Sequence, residues 1–170
     1  MATLHHNISG ELVTTLLTAG DEVPVSSISL VNTQKVSSCK VDLYIQKKGF
    51  GKFYLLKEVE LPIGTTLVYD NIKFSTALNE YSLYIKLTDG ATFTLSGEID
   101  PTASSDVAGS GTRFLTELSV GDEIVVSAET RTVAAINTDT GLSVTSAFSN
   151  NGNDSSPDCN PTALVDVIIN

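Results

Sequence analysis

The sequence predicts an all-β protein with an N-terminal antiparallel β-sandwich followed by a smaller β-barrel-like or β-sandwich module. Three observations favour this fold class. Apolar residues alternate with polar ones along most of the chain, turn-forming residues interrupt these runs at short intervals, and helical patterns are short. Many short strands with frequent turns are typical of sandwiches and barrels.

The N-terminal part contains the clearest strand patterns. In residues 81–87, Tyr81, Leu83, Ile85 and Leu87 alternate with Ser82, Tyr84 and Lys86, which predicts a strand with one buried face. Glycine-containing turns separate this strand from its neighbours. By the same pattern, further strands are predicted at 27–31, 41–46, 53–59, 66–69 and 92–96.

The C-terminal part repeats the pattern at a smaller scale. Strands are predicted at 123–127, 131–136 and 141–145, with a closing strand at 163–169. Helical patterns occur only at 113–118 and, more weakly, at 11–17. Neither segment is long enough to organise a helical domain.

The composition changes at residues 100–105, where small and turn-forming residues cluster. We therefore predict a sandwich domain at 1–98, a linker at 99–106 and a small acidic module at 107–170. Residues 1–98 contain eight lysines and ten acidic residues, a charge of -2, whereas residues 99–170 contain two arginines and ten acidic residues, a charge of -8. The acidity belongs mainly to the C-terminal part.

Overall charge and hydropathy exclude several classes of partner. The chain of 170 residues has a formal charge of -10 and a pI near 4.4, which disfavours electrostatic binding of nucleic acid or anionic lipid. No apolar run approaches the roughly 20 residues of a membrane-spanning helix. The first residues lack the pattern of a signal peptide. We expect neither nucleic acid nor membrane as a partner.

Catalytic chemistry finds little support in the sequence. The only histidines are the adjacent His5 and His6, which would point to opposite faces of a strand. No Gly-x-Ser-x-Gly nucleophile motif occurs. We therefore expect no catalytic residues, no metal site and no cofactor, and predict that the protein is not an enzyme.

Three further features allow more than one interpretation. The glycine-rich segment 108–112 resembles a phosphate-binding loop but lacks the lysine of that motif, which favours a flexible connection. Residues 149–161 form a polar loop, expected to be exposed and mobile, whose oxygens could bind calcium, although not with EF-hand spacing. Cys39 and Cys159 are expected as free thiols, with a disulfide left open.

Three tyrosines form the candidate functional site. Tyr44, Tyr54 and Tyr84 lie opposite leucines on strands that could be neighbours in one sheet. Such a row can pack across strands, form a protein interface or bind glycan. Because the chain contains no tryptophan, we favour the protein interface over a sugar site.

Two sets of segments resemble known proteins. The pattern Gly-x-Gly-Thr-x-Phe at 109–114, Val-Gly-Asp at 120–122 and Thr-Val at 132–133 resembles a small β module that recurs in structural proteins of tailed bacteriophages. The N-terminal part is similar to sandwich-like virion components of phages, including those of marine bacteria. The segments that carry these resemblances are 107–124, 129–133, 147–150, 41–45, 54–68 and 81–83.

The resemblance implies a non-enzymatic virion structural protein, assembled in the cytoplasm of a host bacterium. We expect a capsid decoration or cement protein, with the N-terminal domain on the shell and the acidic module facing solvent. Its expected partners are the major capsid protein or other virion proteins, and its small cores favour a homo-oligomer. Alternatives are a neck or tail component, such as a connector or fibre-attachment protein, and a glycan-binding surface module.

Overall fold

The chain forms two compact units in the computed structural model, which describes residues 3–70, 72, 74–76, 80–102 and 104–170. The first unit, here the sandwich unit, comprises Met1–Gln34, Ser38–Asp89 and Ala163–Asn170. The second, here the inserted unit, comprises Lys35–Ser37 and Gly90–Thr162. The predicted all-β class is confirmed.

Short strands make up the sandwich unit, as the period-two pattern predicts. Within the described residues, nine strands precede the main segment of the inserted unit, Gly90–Thr162, and one follows it. They are β1 (Leu4–Ser9), β2 (Thr14–Leu17), β3 (Pro24–Val25), β4 (Ile28–Asn32), β5 (Cys39–Gln46), β6 (Lys52–Leu61), β7 (Thr66–Tyr69), β8 (Phe74–Ser75), β9 (Ser82–Thr88) and, after the inserted unit, β17 (Leu164–Ile169).

Two four-stranded antiparallel sheets form the body of the sandwich unit. One has the order β1-β17-β4-β7 and the other β2-β9-β5-β6, while β3 and β8 pair separately. When β3 and β8 are left out and the remaining eight strands are numbered 1 to 8 along the chain, the two sheets have the strand orders 1-8-3-6 and 2-7-4-5. This connectivity is that of a jelly roll, built from two Greek keys.

The core of the sandwich unit is built from the inward positions of its strands. Leu30 on β4, Leu43 on β5 and Ile85 on β9 are each 0% exposed. Burial of such side chains contributes about 1.5 to 3 kcal/mol each. The pattern of alternating buried and more exposed residues in β4 and β17 follows directly from their sequences.

The main segment of the inserted unit, Gly90–Thr162, lies between the last two strands of the jelly roll, β9 and β17. Its strands form one antiparallel sheet in the order β10-β16-β13-β14-β15-β12-β11, which does not close into a barrel. The elements are β10 (Phe93–Thr94), β11 (Glu98–Asp100), β12 (Asp106–Ser110), α1 (Phe114–Glu117), β13 (Glu123–Val126), β14 (Glu129–Thr138), β15 (Gly141–Val144) and β16 (Asp158–Asn160).

This division differs from the predicted modules at 1–98, 99–106 and 107–170. The segment expected to be a linker is a hairpin, in which Ile99 pairs with Gly109 and is completely buried. The strand expected to close the C-terminal module lies in the sandwich unit, where Val167 pairs with Leu30. Alternation identifies a strand but not the sheet that the strand joins, since pairing is a long-range property.

Two local predictions were also wrong. The weak helical pattern at 11–17 corresponds to β2, whose Thr14 pairs with Ile85 of β9. The polar loop at 149–161 contains β16, in which Cys159 is completely buried against the core of the inserted unit. The short helix predicted at 113–118 is confirmed as α1.

Candidate functional site

The three predicted tyrosines lie side by side on the outer face of the β2-β9-β5-β6 sheet. Tyr44 on β5 pairs with Tyr54 on β6 and with Tyr84 on β9. Directly paired residues of antiparallel strands project from the same face, so the three rings form a row across three strands. The structure therefore brings together every residue of the predicted site.

Ring packing makes Tyr44 the centre of this row. Its ring centroid lies 5.5 Å from that of Tyr54 at an interplanar angle of 55°, and 5.4 Å from that of Tyr84 at 19°. Tyr44 is consequently only 1% exposed, whereas Tyr54 is 42% exposed. A ring covered from both sides offers no face for stacking a sugar, so the row is not a flat aromatic platform.

Lysines complete this face of the sheet. The Nζ of Lys52 lies 4.3 Å from the ring centroid of Tyr44, and that of Lys57 lies 5.1 Å from the ring centroid of Tyr54. Lys57 also forms ion pairs with Asp42 at 3.1 Å and Glu58 at 2.8 Å. The hydrogen bonds to Glu58 and Asp42 raise the pKa of Lys57, and the bond from Lys57 lowers the pKa of Glu58.

Exposed rings continue along the hairpin between β5 and β6. Phe50 at the tip is 62% exposed and Phe53 is 53% exposed, although Phe53 makes an edge contact with Tyr81. β6 is an edge strand of its sheet. Sequence reasoning missed both phenylalanines, and the available signal was the presence of three aromatic residues between positions 50 and 54. Exposed aromatic residues at a sheet edge favour contact with another protein.

An open cavity of about 570 Å³ lies beside the tyrosine row. Gln46 on β5 pairs with Ser82 on β9, one step along the same face from the Tyr44 and Tyr84 pair. This cavity is not predictable from the sequence, because it depends on the pairing of strands that are distant in the chain. It is lined by Ala19, Gln46, Lys47, Lys48, Gly49, Glu80, Ser82 and Tyr84.

The glycine-rich motif of the inserted unit has a packing role. A Cβ atom on Gly109 would lie 2.2 Å from Oγ1 of Thr112, so only glycine fits. Thr112 in turn donates a hydrogen bond to the carbonyl oxygen of Asp139 at 2.6 Å, and Phe114 is fully buried. The Gly109 amide donates to the carbonyl oxygen of Thr140. These contacts explain the Gly-x-Gly-Thr-x-Phe pattern without a phosphate.

A buried carboxylate organises the Val-Gly-Asp turn. Gly121 adopts a φ of 97°, which favours glycine, and Asp122 is completely buried. The Asp122 carboxylate accepts hydrogen bonds from the amides of Ser119 at 2.7 Å and Thr162 at 2.9 Å. It thereby fixes the turn to the end of the inserted unit.

Glu129 and Arg131 hold the segment that follows β15. The Glu129 carboxylate accepts hydrogen bonds from the amides of Ser149 and Asn150, both at 2.9 Å. These hydrogen bonds lower the pKa of Glu129, and the bond from the Ser149 amide has the largest effect. Arg131 pairs with Glu129 at 2.7 Å and lies 5.1 Å from the ring of Phe148. Glu129, Arg131 and Phe148 therefore form a structural cluster.

Carboxylates in the polar loop likewise bind the loop itself. Asp154 accepts hydrogen bonds from the amides of Ser127 at 2.6 Å and Ser156 at 2.9 Å. Among the described residues, no group of three or more acidic, histidine or cysteine side chains is arranged for a metal. His5 is exposed and His6 half-buried on opposite faces of β1. No helix in the described part of the chain is long and apolar enough to span a membrane.

Both cysteines are buried free thiols. Burial raises the pKa of Cys39 to about 11, with a smaller contribution from Asp89. Burial also raises the pKa of Cys159, again with a contribution from a carboxylate, Asp122. Neither thiol is placed to act as a nucleophile, because the reactive thiolate is disfavoured at both positions.

Comparisons with known proteins identify no family. No family model matches the sequence, and no curated protein matches it significantly. A mitogen derived from Yersinia pseudotuberculosis shows 18% identity and a TM-score of 0.27, over 51% of this chain and 83% of its own. Infectious bursal disease virus, Gx strain, shows 12% identity and a TM-score of 0.29, over 99% of this chain and 31% of its own.

A third similar structure is a serine protease of Aeromonas sobria, with 7% identity and a TM-score of 0.25. The comparison covers all of this chain, 100%, and 28% of that one, so this chain spans less than a third of the length of the viral and protease structures. At such TM-scores, none of the three likenesses carries an argument about fold or function.

Proposed function

We propose that this chain is a non-enzymatic structural protein of a tailed-bacteriophage virion, and specifically a decoration or cement protein bound to the outer face of the capsid. The observation that carries the proposal is the strand order of the sandwich unit, 1-8-3-6 and 2-7-4-5. Viral capsid and lectin domains use this jelly-roll architecture. The motifs that resemble phage structural modules support the same class.

Surface properties of the sandwich unit support binding to a protein shell. Phe50, Phe53 and Tyr54 expose aromatic surface at one sheet edge. Since aromatic residues are enriched in protein interfaces, we assign the contact with the major capsid protein to this edge. The covered ring of Tyr44 favours this function over a lectin that stacks sugars along the row.

Charge distribution supports an orientation on the particle. The sandwich unit contains seven basic and ten acidic residues, a charge of -3, whereas the inserted unit contains three basic and ten acidic residues, a charge of -7. In the proposed arrangement the sandwich unit packs on the shell and the inserted unit faces solvent. Cryo-EM of particles with the inserted unit buried against the shell would overturn this orientation.

Stoichiometry in purified particles tests the function itself. Quantitative mass spectrometry would give the number of copies of this chain for each copy of the major capsid protein. A decoration or cement protein requires a ratio of order one, because it follows the shell lattice. A ratio of a few per cent would instead place the chain in the neck or tail, and absence from the particles would contradict any virion role.

A further inference from the structure

The cavity beside the tyrosine row has the size and position of a small-molecule site. Its volume of about 570 Å³ lies within the range of roughly 300 to 1,000 Å³ that such sites occupy. It opens on the outer face of the sheet, between β9 and the hairpin that follows β5. A ligand could therefore enter from solvent without disturbing the core.

The floor of the cavity presents hydrogen-bonding groups with unused capacity. The Gln46 amide nitrogen donates to the carbonyl oxygen of Phe50 at 3.2 Å, but the Gln46 carbonyl oxygen accepts no bond from the described residues. The Ser82 hydroxyl oxygen accepts from the Ala19 amide at 3.0 Å, which leaves its hydrogen available to donate. One acceptor and one donor side by side suit the hydroxyl groups of a sugar.

Tyr84 supplies an aromatic wall. Its only ring contact among the described residues is with Tyr44, at a centroid distance of 5.4 Å. Tyr84 is half-buried and is one of the residues that line the cavity. Aromatic surface beside a polar floor matches the alternation of C–H and O–H groups on a sugar ring.

The rim of the cavity is cationic, in contrast to the acidic chain as a whole. Nζ of Lys47 lies 3.6 Å from Oε1 of Glu80, and both side chains of this pair are partly exposed, at 38% and 54%. Lys48 forms no ion pair or ring contact with the described residues. It directly precedes Gly49, which has a φ of 82° in the turn between β5 and β6. Two lysines against one glutamate favour a ligand that carries a negative charge.

We propose that this cavity binds an acidic sugar residue, a hexuronic acid of a polysaccharide. Lys48 pairs with its carboxylate, Gln46 and Ser82 bind its hydroxyl groups, and Tyr84 contacts its C–H surface. This binding activity is additional to the proposed virion role and is tested independently of it, because the titration needs only the isolated chain.

The test is a pair of NMR titrations of the chain of 170 residues. Methyl β-D-glucuronide and methyl β-D-glucoside differ only in a carboxylate that replaces a hydroxymethyl group. We expect saturable shifts of the Gly49 and Ser82 amides with the glucuronide, and binding about tenfold weaker for the glucoside. Equal binding of the two sugars, or no saturable shift with the glucuronide, would overturn the proposal.

Two variants and one further probe separate the site from general charge effects. Lys48→Ala should weaken glucuronide binding about tenfold, whereas Lys40→Ala, which removes an exposed lysine elsewhere on β5, should leave it unchanged. Inorganic phosphate at the same concentration should not displace the sugar. Displacement by phosphate, or equal effects of the two variants, would contradict a sugar site.

Discussion

At the scale of the residue, Tyr44 shows how a side chain on an outer sheet face becomes part of the fold. Its neighbours on both adjacent strands and Lys52 enclose it. We expect Tyr44→Ala to lower the free energy of unfolding by about 3 kcal/mol, because it removes a buried aromatic side chain. Urea denaturation of the purified protein would measure the change.

The matched control is Tyr54→Ala, at the exposed end of the same row. It should lower the free energy of unfolding by less than about 1 kcal/mol, because the side chain is 42% exposed. In the proposed function, however, it should reduce binding to capsids lacking the protein. Equal destabilisation by the two substitutions would contradict the enclosed position of Tyr44.

The cysteines provide a second prediction at this scale. Burial, together with a pKa of about 11 for Cys39 and a raised pKa for Cys159, should make both thiols unreactive towards a disulfide reagent such as DTNB near pH 8. In urea, two thiols per chain should react at once. A thiol that reacts rapidly in the native protein would show that the unit around it opens easily.

Glu129 provides a prediction about pH. The pKa of Glu129 in the folded protein is lowered from the ordinary value of 4.5. The hydrogen bonds to its carboxylate therefore stabilise the folded state fully above pH 4.5, and this stabilisation is lost as the pH falls through the lowered pKa. Acidification below the ordinary value should therefore lower the protection of the Ser149 and Asn150 amides against hydrogen exchange, measured relative to their intrinsic exchange rate at each pH. Glu129→Gln should already show the lower protection at neutral pH, and unchanged protection in this variant would contradict the assignment.

At the scale of the element, β12 depends on a glycine for steric reasons alone. Gly109 has no positive φ, but a Cβ atom there would lie 2.2 Å from Thr112 and 2.9 Å from the Phe114 ring. Gly109→Ala should therefore lower the free energy of unfolding by about 1 to 3 kcal/mol. Thermal or urea unfolding of the inserted unit would measure the effect.

Gly51→Ala is the matched control. Gly51 also lacks a positive φ, and nothing lies within 4 Å of the position of its Cβ atom. The substitution should be neutral or slightly stabilising, because alanine restricts the unfolded chain more than glycine does. If both alanine variants were equally stable, the packing account of the Gly-x-Gly-Thr-x-Phe motif would be wrong.

Elements were more predictable from the sequence than their pairing. Residues 66–69 were predicted as a strand and are β7, because strict alternation marks a half-buried strand locally. β16 was missed, because its single buried side chain, Cys159, stands in a run of polar residues. The tyrosine row could be predicted from alternation, whereas the cavity could not, since it requires the pairing of Gln46 with Ser82.

At the scale of the whole molecule, β17 decides which unit the end of the described chain belongs to. Val167 points into the core of the sandwich unit and is 1% exposed, whereas the adjacent Ile168 lies half-buried on the outer face. Val167→Asp should unfold the sandwich unit, because it buries a carboxylate without a partner. Ile168→Asp should be tolerated far better.

NMR signals from the cores of the two units show which unit β17 belongs to. The structure places β17 in the sandwich unit, whereas the sequence pattern predicts it in the C-terminal module. Loss of the native signals of Leu30 in the Val167→Asp variant would support the interleaved arrangement. Loss confined to Phe114 and Leu118 would instead place the strand in the inserted unit and contradict the structure.

The place of β17 in its sheet also sets an order of events during translation. β17 lies between β1 and β4, so the β1-β17-β4-β7 sheet is incomplete until the ribosome has made the whole of the inserted unit. The inserted unit has all of its own strands by Thr162, and domains generally fold as units during synthesis. The inserted unit can thus fold first. Its negative charge helps to keep the nascent chain soluble while the apolar strands β1 and β4 have not yet paired with β17.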